Sequence, residues 1–289
     1  TIATCRRVFG DAQPVYLPVH SDDKTVVGAM ALISQYVADG KGTRRAPSDD
    51  EAATIEEHRG TLIEAIIEES EDDSLLDRYL SGEDLDVAQL IADTKTAIGK
   101  GTFFPMLPIS PATGVGMEEI YELIETAFPS PAARPLPAAT TPSGGDIAEL
   151  ACDPKGPLVA EVIRTSSDPY VGRLSLVRVF SGTLRAEEVA HVSGHLSTFL
   201  GHELEGHPEH DDEERVGPLS SPLVDALRPK EFAIAGDIVL VAKLSKAETS
   251  DTLSTKDHPV LVEPWVLPEP LLPVAIHAKS KADEDKLAS

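Results

Sequence analysis

The run Asp168–Leu184, DPYVGRLSLVRVFSGTL, constrains the fold more than any other stretch of the chain. Asp168-Pro169 opens a turn, because the residue before a proline is driven out of the helical region and an aspartate can bond its own backbone. Gly172 permits a kink. Leu174, Leu176 and Val177 to Phe180 then supply the apolar, β-branched and aromatic residues of a half-buried strand. Ser181-Gly182 turns the chain back. This is β-barrel punctuation, and it continues on both sides. Strands are predicted at Leu158–Thr165, Leu174–Phe180, Glu188–Val192, Ala233–Lys243 and Val260–Val262. Gly201–Leu227 has no apolar periodicity and is rich in His, Glu and Asp, so it reads as a long mobile loop or a lengthened hairpin.

The first part of the chain alternates helix and strand signals. Thr1–Phe9 reads as the end of a helix with Gly10 beyond it. Val15–Val19 is a short apolar run. Val27–Val37 is apolar and fits a hairpin or a helix, a choice that periodicity leaves open. Ser48 with Glu51 makes a capping box. The helix it opens places Ile55, Leu62, Ile63, Ile66 and Ile67 on one face, and the acidic cluster Glu68–Asp73 at its far end opposes the dipole and predicts fraying. A further helix is predicted over Asp84–Ile98, closed by Gly99 and Gly101. Phe103–Ile109 carries Pro105 and Pro108, which confine it to a short or edge strand. Met117, Ile120, Leu123, Ile124 and Ala127 form the apolar face of a last helix, stopped by Pro129. The proline-rich segment from Ser130 to Pro157 reads as a linker.

Charge excludes one broad class of function. The 289 residues carry a net charge of −24, with 10 basic and 24 acidic residues in 1–131 and 15 and 25 in 132–289. Both halves repel phosphate at long range, so strong non-specific nucleic-acid binding is not expected, and any RNA contact needs a local basic spot. The two cysteines, Cys5 and Cys152, form no ligand cluster and read as reduced thiols of a cytoplasmic protein. No segment approaches the ~20 apolar residues of a membrane span. A start at Thr1 and a charged finish read as an internal piece of a longer chain.

Several fragments, in order, resemble elongation factor G, a translational GTPase. Asp77-Arg78-Tyr79-Leu80-Ser81-Gly82-Glu83 resembles the family's "KYLxGEE", which lies in an insertion within its GTPase domain. Phe128-Pro129-Ser130-Pro131 resembles the "YLPSP" that ends that domain. Gly236-Asp237-Ile238 and Thr249-Ser250-Asp251-Thr252-Leu253 resemble "GDI…TGDTL" late in domain II. Pro268-Glu269-Pro270 and Lys279-Ser280-Lys281-Ala282-Asp283 resemble "PEP…KTKAD" at the start of domain III. The resemblance implies an α/β remnant of a P-loop GTPase domain with a helical insertion, followed by an all-β translation-factor barrel. The expected domains are 1–131 for the GTPase part, 132–157 for the linker, 158–268 for the barrel and 269–289 for the start of domain III.

That resemblance also frames the chemistry. The chain contains no G-x-x-x-x-G-K-[ST] and no Asn-Lys-x-Asp. Gly99-Lys100-Gly101-Thr102 only echoes a P-loop and is better read as a helix end. GTP and Mg²⁺ are implied for the full-length parent and no cofactor is expected for this segment, which alone should not hydrolyse GTP. Ser110-Pro111-Ala112 aligns with the family's loop that touches the guanine. There the residue after Ser offers its backbone N–H to the base. Pro111 has no N–H, and a register shift would pass that role to Ala112. Arg173 and Arg178, five residues apart on one strand, point to opposite faces and are the expected contacts to small-subunit ribosomal RNA or to the other domains of the parent. His195, His202, His207 and His210, followed by Asp211 and Asp212, carry metal-ligand chemistry, but their spacing matches no compact finger and no Cys joins them, so no metal site is expected. The alternative to a GTPase is a regulatory binding protein, ribosome-associated or free, that keeps the scaffold without effective hydrolysis. Trp265 reads as a packing anchor.

Overall fold

The computed structural model describes residues 2–265 and 278, apart from residues 11, 71, 73, 84, 148, 169, 205, 224 and 225. The chain divides into two compact units, Thr1–Pro129 and Ser130–Ser289. The resemblances at 268–270 and 279–283, and the expected start of domain III, lie outside the described residues.

In the first unit the elements run α1 (Ile2–Phe9), β1 (Ala12–Pro14), β2 (Tyr16–His20), β3 (Val26–Ala31), β4 (Val37–Asp39), β5 (Arg44–Arg45), α2 (Asp49–Glu69), α3 (Ser74–Leu80), α4 (Val87–Lys100), β6 (Phe104–Met106) and α5 (Met117–Ala127). The open choice at Val27–Val37 falls to a hairpin. β2 to β5 make a four-stranded antiparallel sheet, while β6 pairs in parallel with β1. The Ser48 capping box forms, with Glu51 N–H donating to Ser48 Oγ and Ser48 N–H donating to the Glu51 carboxylate at 2.8 Å. Its helix buries Ile55, Leu62, Ile63 and Ile66, which meet Leu32, Val37, Leu75, Leu90 and Phe103 in one core.

Two predictions in this unit need correction. α4 starts at Val87 under an Asp86 cap, later than predicted, and runs through Gly99 to end at Gly101 with φ 80°. A single glycine inside a helix costs only about 1 kcal/mol, so tertiary packing of Ala97 and Ile98 carries the helix past it. α5 forms as predicted, yet Ile124 on its apolar face is 51% exposed while Glu119 is buried.

The second unit holds β7 (Ala139–Thr140), β8 (Val159–Asp168), β9 (Gly172–Ser181), β10 (Thr183–Arg185), β11 (Val189–Ser193), α6 (Ser197–Leu200), β12 (Asp211–Arg215), β13 (Leu219–Leu223), β14 (Ala226–Lys230), β15 (Phe232–Ile234), β16 (Ile238–Ala242), β17 (Thr252–Thr255) and β18 (Leu261–Val262). Eight strands form one antiparallel sheet in the order β12-β11-β17-β8-β9-β16-β13-β14. It curls around a single core, to which Val162, Val177, Val192, Val239 and Leu253 contribute from five strands and Leu184 and Ala233 from the β10–β15 ribbon. At its leading hairpin Asp168 Oδ1 accepts from the N–H groups of Tyr170 and Val171, both at 2.8 Å, so the aspartate does make the turn.

The region 201–227 is not one mobile loop. β12 pairs with β11, and β13 pairs with both β14 and β16. Asp211–Arg215 carries no apolar residue, so alternation could not reveal it; its one buried side chain is Glu214, which accepts from the backbone N–H groups of Lys246 and Ala247. Ala233–Lys243 is two strands, divided where Asp237 N–H reaches back to Ile234 O at 2.8 Å. The proline-rich stretch is packed on the sheet unit: β7 pairs with β18, and Ala139, Ile147 and Leu150 cover Val159, Val260 and Val262.

Candidate functional site

Three places gather the chemistry-bearing residues, and each is local to one unit. The first is the loop between β6 and α5. Ser110 N–H donates to Val115 O at 2.9 Å, and Thr113 and Gly114 donate their N–H groups to Ser110 O at 3.1 and 2.8 Å. Pro111 has no N–H to give. Ala112 is exposed, and no carbonyl among the described residues takes its N–H. Gly114 and Gly116 hold this turn at φ 80° and 74°; a Cβ on Gly116 would meet the Pro108 carbonyl, and one on Gly114 the Gly40 carbonyl. The loop's internal hydrogen bonds thus use the N–H groups of Ser110, Thr113 and Gly114, while Ala112, one residue beyond Pro111, stays exposed.

The second place is β9. Ser175, Val177 and Val179 face the core, and Arg173 continues that row at the strand's start. Its guanidinium donates to Ala247 O at 2.7 Å and Ser245 O at 3.3 Å, so it ties the β16–β17 connection to the hairpin. Arg178 lies on the opposite face, opposite Glu161 in register. Among the described residues it forms no ion pair; burial pushes the nearby Asp237 carboxyl up, but the Lys230 and Ile234 hydrogen bonds, with a smaller share from the Arg178 charge, hold it down on balance. Glu161 is 5% exposed, and burial pushes its carboxyl up to about 7, opposed only by the Trp265 N–H at 3.3 Å. Trp265 itself is 44% exposed, at the edge of the described residues.

The third place is the one that linear spacing hid. His207 Nε2 lies 2.7 Å from Asp251 Oδ1, and His210 Nε2 lies 3.0 Å from Asp251 Oδ2. Asp251 is fully buried and His207 nearly so. Burial pushes the Asp251 carboxyl up. Burial pulls the His210 imidazole down, but the Pro208 carbonyl and Asp251 outweigh it, so the net direction is up. His195 belongs elsewhere: with His191 it flanks Asp211. His202 bonds Leu200 O and joins neither group. Of the four histidines named from sequence, the fold thus joins only His207 and His210, and their carboxylate comes from 41 residues beyond His210.

Comparison with known proteins bears on the whole chain. Over 292 aligned positions it is 52% identical to the elongation factor G-like protein of Mycobacterium tuberculosis, in strains CDC 1551 / Oshkosh and ATCC 25618 / H37Rv alike. The chain is homologous to elongation factor G-like protein. The alignment covers 99% of this chain and 40% of the relative, so the elongation factor G-like segment described here spans well under half the length of those proteins. No family model matches it. The crystal structure of ttk003000868 from Thermus thermophilus has a similar fold, with a TM-score of 0.68 and 24% identity over 99% of this chain and 38% of that one. No described helix of the elongation factor G-like segment is long and apolar enough to cross a membrane.

Proposed function

We propose that the whole protein is an elongation factor G-like GTPase that acts on the ribosome in translation elongation or translocation, in the cytoplasm. In this reading 1–131 is the C-terminal part of the GTPase domain with its insertion, 132–157 connects it to the barrel of 158–268, and 269–289 begins domain III. GTP with Mg²⁺ binds largely through residues outside this chain, since the phosphate-wrapping motif is not within it. The observation that carries the proposal is the 52% identity running through nearly the whole chain.

Within this segment the Ser110–Ala112 bracket is the guanine-facing element, with Ala112 as the backbone donor in place of Pro111. The bracket's internal hydrogen bonds support that assignment, because they consume the N–H groups of Ser110, Thr113 and Gly114. The sheet of the second unit contacts small-subunit RNA or neighbouring domains, and Arg178 is the arginine available for it, because Arg173 is committed to the backbone of Ser245 and Ala247.

Pro111 favours a second reading, a regulatory binding protein on the same scaffold without effective hydrolysis. A guanine oxygen left unpaired costs about 1–3 kcal/mol of base selection. GTP hydrolysis by the full-length protein, with and without ribosomes, separates the two. Ribosome-stimulated turnover with GTP preferred over ATP is expected; GTP binding without turnover supports the regulatory protein, and equal binding of GTP and ATP refutes the Ala112 assignment.

A further inference from the structure

We propose that His207, His210 and Asp251 form a zinc site that fastens the histidine segment to the start of β17. The three side chains offer two imidazole nitrogens and a carboxylate oxygen within 4.8 Å of one another. Two nitrogens and one oxygen suit zinc, with water on the fourth position at the part-exposed His210 side.

The arrangement around those atoms is that of a built site. His210 Nδ1 lies 2.9 Å from the Pro208 carbonyl. A carbonyl only accepts, so Nδ1 carries a proton, and Nε2 is the nitrogen a metal would take in exchange for the proton now shared with Asp251. This is the outer-sphere bond that orients ligating histidines. Glu248 N–H donates to Asp251 Oδ2 at 2.6 Å and fixes the carboxylate plane. That outer bond belongs to His210 only: His207 Nδ1 is buried without a partner among the described residues, and the ring's polar contact is through Nε2. Gly194 supplies the floor: a Cβ there would stand 2.5 Å from His210 Cε1 and 2.9 Å from His207 Cε1.

Charge points the same way. Asp251 is fully buried, and among the described residues no Lys or Arg pairs with it. A buried carboxylate needs a cation to offset it; a protonated histidine is one such cation, and a divalent ion between the carboxylate and two neutral imidazoles would serve with a larger charge. Zinc ligands at 2.0–2.2 Å in tetrahedral array stand about 3.3 Å apart. The 2.7 and 3.0 Å separations therefore open by a few tenths of an ångström when the ion enters, a shift the partly exposed His210 can make. The ion would join the H-x-x-H run His207-Pro208-Glu209-His210, whose own apolar content is small, to a residue 41 positions further along the chain that reaches the same end of β11.

The test is zinc titration of the chelator-treated full chain, followed by calorimetry, with Co²⁺ as a spectroscopic probe. We expect one Zn²⁺ per chain, a visible d–d spectrum of four-coordinate Co²⁺, and a rise in the unfolding midpoint reported by Trp265, the single tryptophan. His210→Gln should weaken binding by at least about 100-fold, since disturbing even the supporting shell of a zinc site costs 10–100-fold. His202→Gln and His195→Gln should leave it unchanged. Absence of stoichiometric uptake by the wild-type chain, a Co²⁺ spectrum of an octahedral aquo ion, or zinc affinity that survives His210→Gln but is lost with His195→Gln would each overturn the site. The wild-type arms decide the matter even if a variant fails to fold.

Discussion

Glu161 makes the stability of the sheet unit fall as pH rises, and Glu161→Gln should remove that fall. The carboxyl lies on the outer face of β8, 5% exposed, and accepts one N–H, that of Trp265. Burial raises it from the ordinary 4.5 to about 7. Between those values the folded chain holds a proton that the unfolded chain has released, so stability is full below about 4.5 and is lost as pH climbs through 7. A displacement of about 2.5 pH units at 1.36 kcal/mol each comes to about 3 kcal/mol, an upper bound reached near pH 8. Glutamine keeps the shape and the acceptor for Trp265 N–H and carries no charge. Urea unfolding followed by Trp265 emission, at intervals from pH 4.5 to 8, should show the variant equal to wild type at the acid end and more stable by about 1–3 kcal/mol at the other. The opposite sign refutes the reasoning. Arg178 stands opposite Glu161 in register; were the two an ion pair, Glu161→Gln would cost stability at pH 7, and the cost would grow with pH. A difference that stays constant across the range would also refute it.

Other consequences are simpler to check. Ser48→Ala removes the cap of α2 and should lower the stability of the first unit by about 1 kcal/mol in thermal melts followed by circular dichroism. Arg173→Ala severs two charge-assisted bonds to backbone carbonyls and should cost about 1.5–3 kcal/mol in the Trp265-reported transition. Arg178→Glu should reduce co-sedimentation of the full-length protein with ribosomes at low salt; unchanged co-sedimentation removes Arg178 as a contact. Gly116→Ala puts a Cβ against the Pro108 carbonyl at a positive φ and should weaken nucleotide binding by the full-length protein while its ribosome binding persists.

What the sequence revealed and what it concealed follow from where each signal is stored. The capping box, the Asp168 turn and the apolar face of α2 are local statements, written within three or four residues of each other, and they appear in the structure at those positions. β12 escaped because its five residues are all charged. A strand is recognised by alternation when one face is apolar, whereas Glu214 faces inward to collect backbone N–H groups from Lys246 and Ala247. The histidine site escaped for a related reason. The His207–His210 pair is visible in sequence, but its carboxylate, Asp251, reads there only as part of a family-like Thr-Ser-Asp-Thr-Leu string. Sheet order brings them together: β11 pairs with β12 on one side and β17 on the other, so the segment before β12 and the residue before β17 arrive at the same end of β11, beside Gly194. A glycine following a strand that ends Val192-Ser193, with an H-x-x-H opening at His207, is the signal that was present. It acquires meaning only once the strand order is known, because a Cβ at Gly194 would occupy the place where the two imidazoles stand.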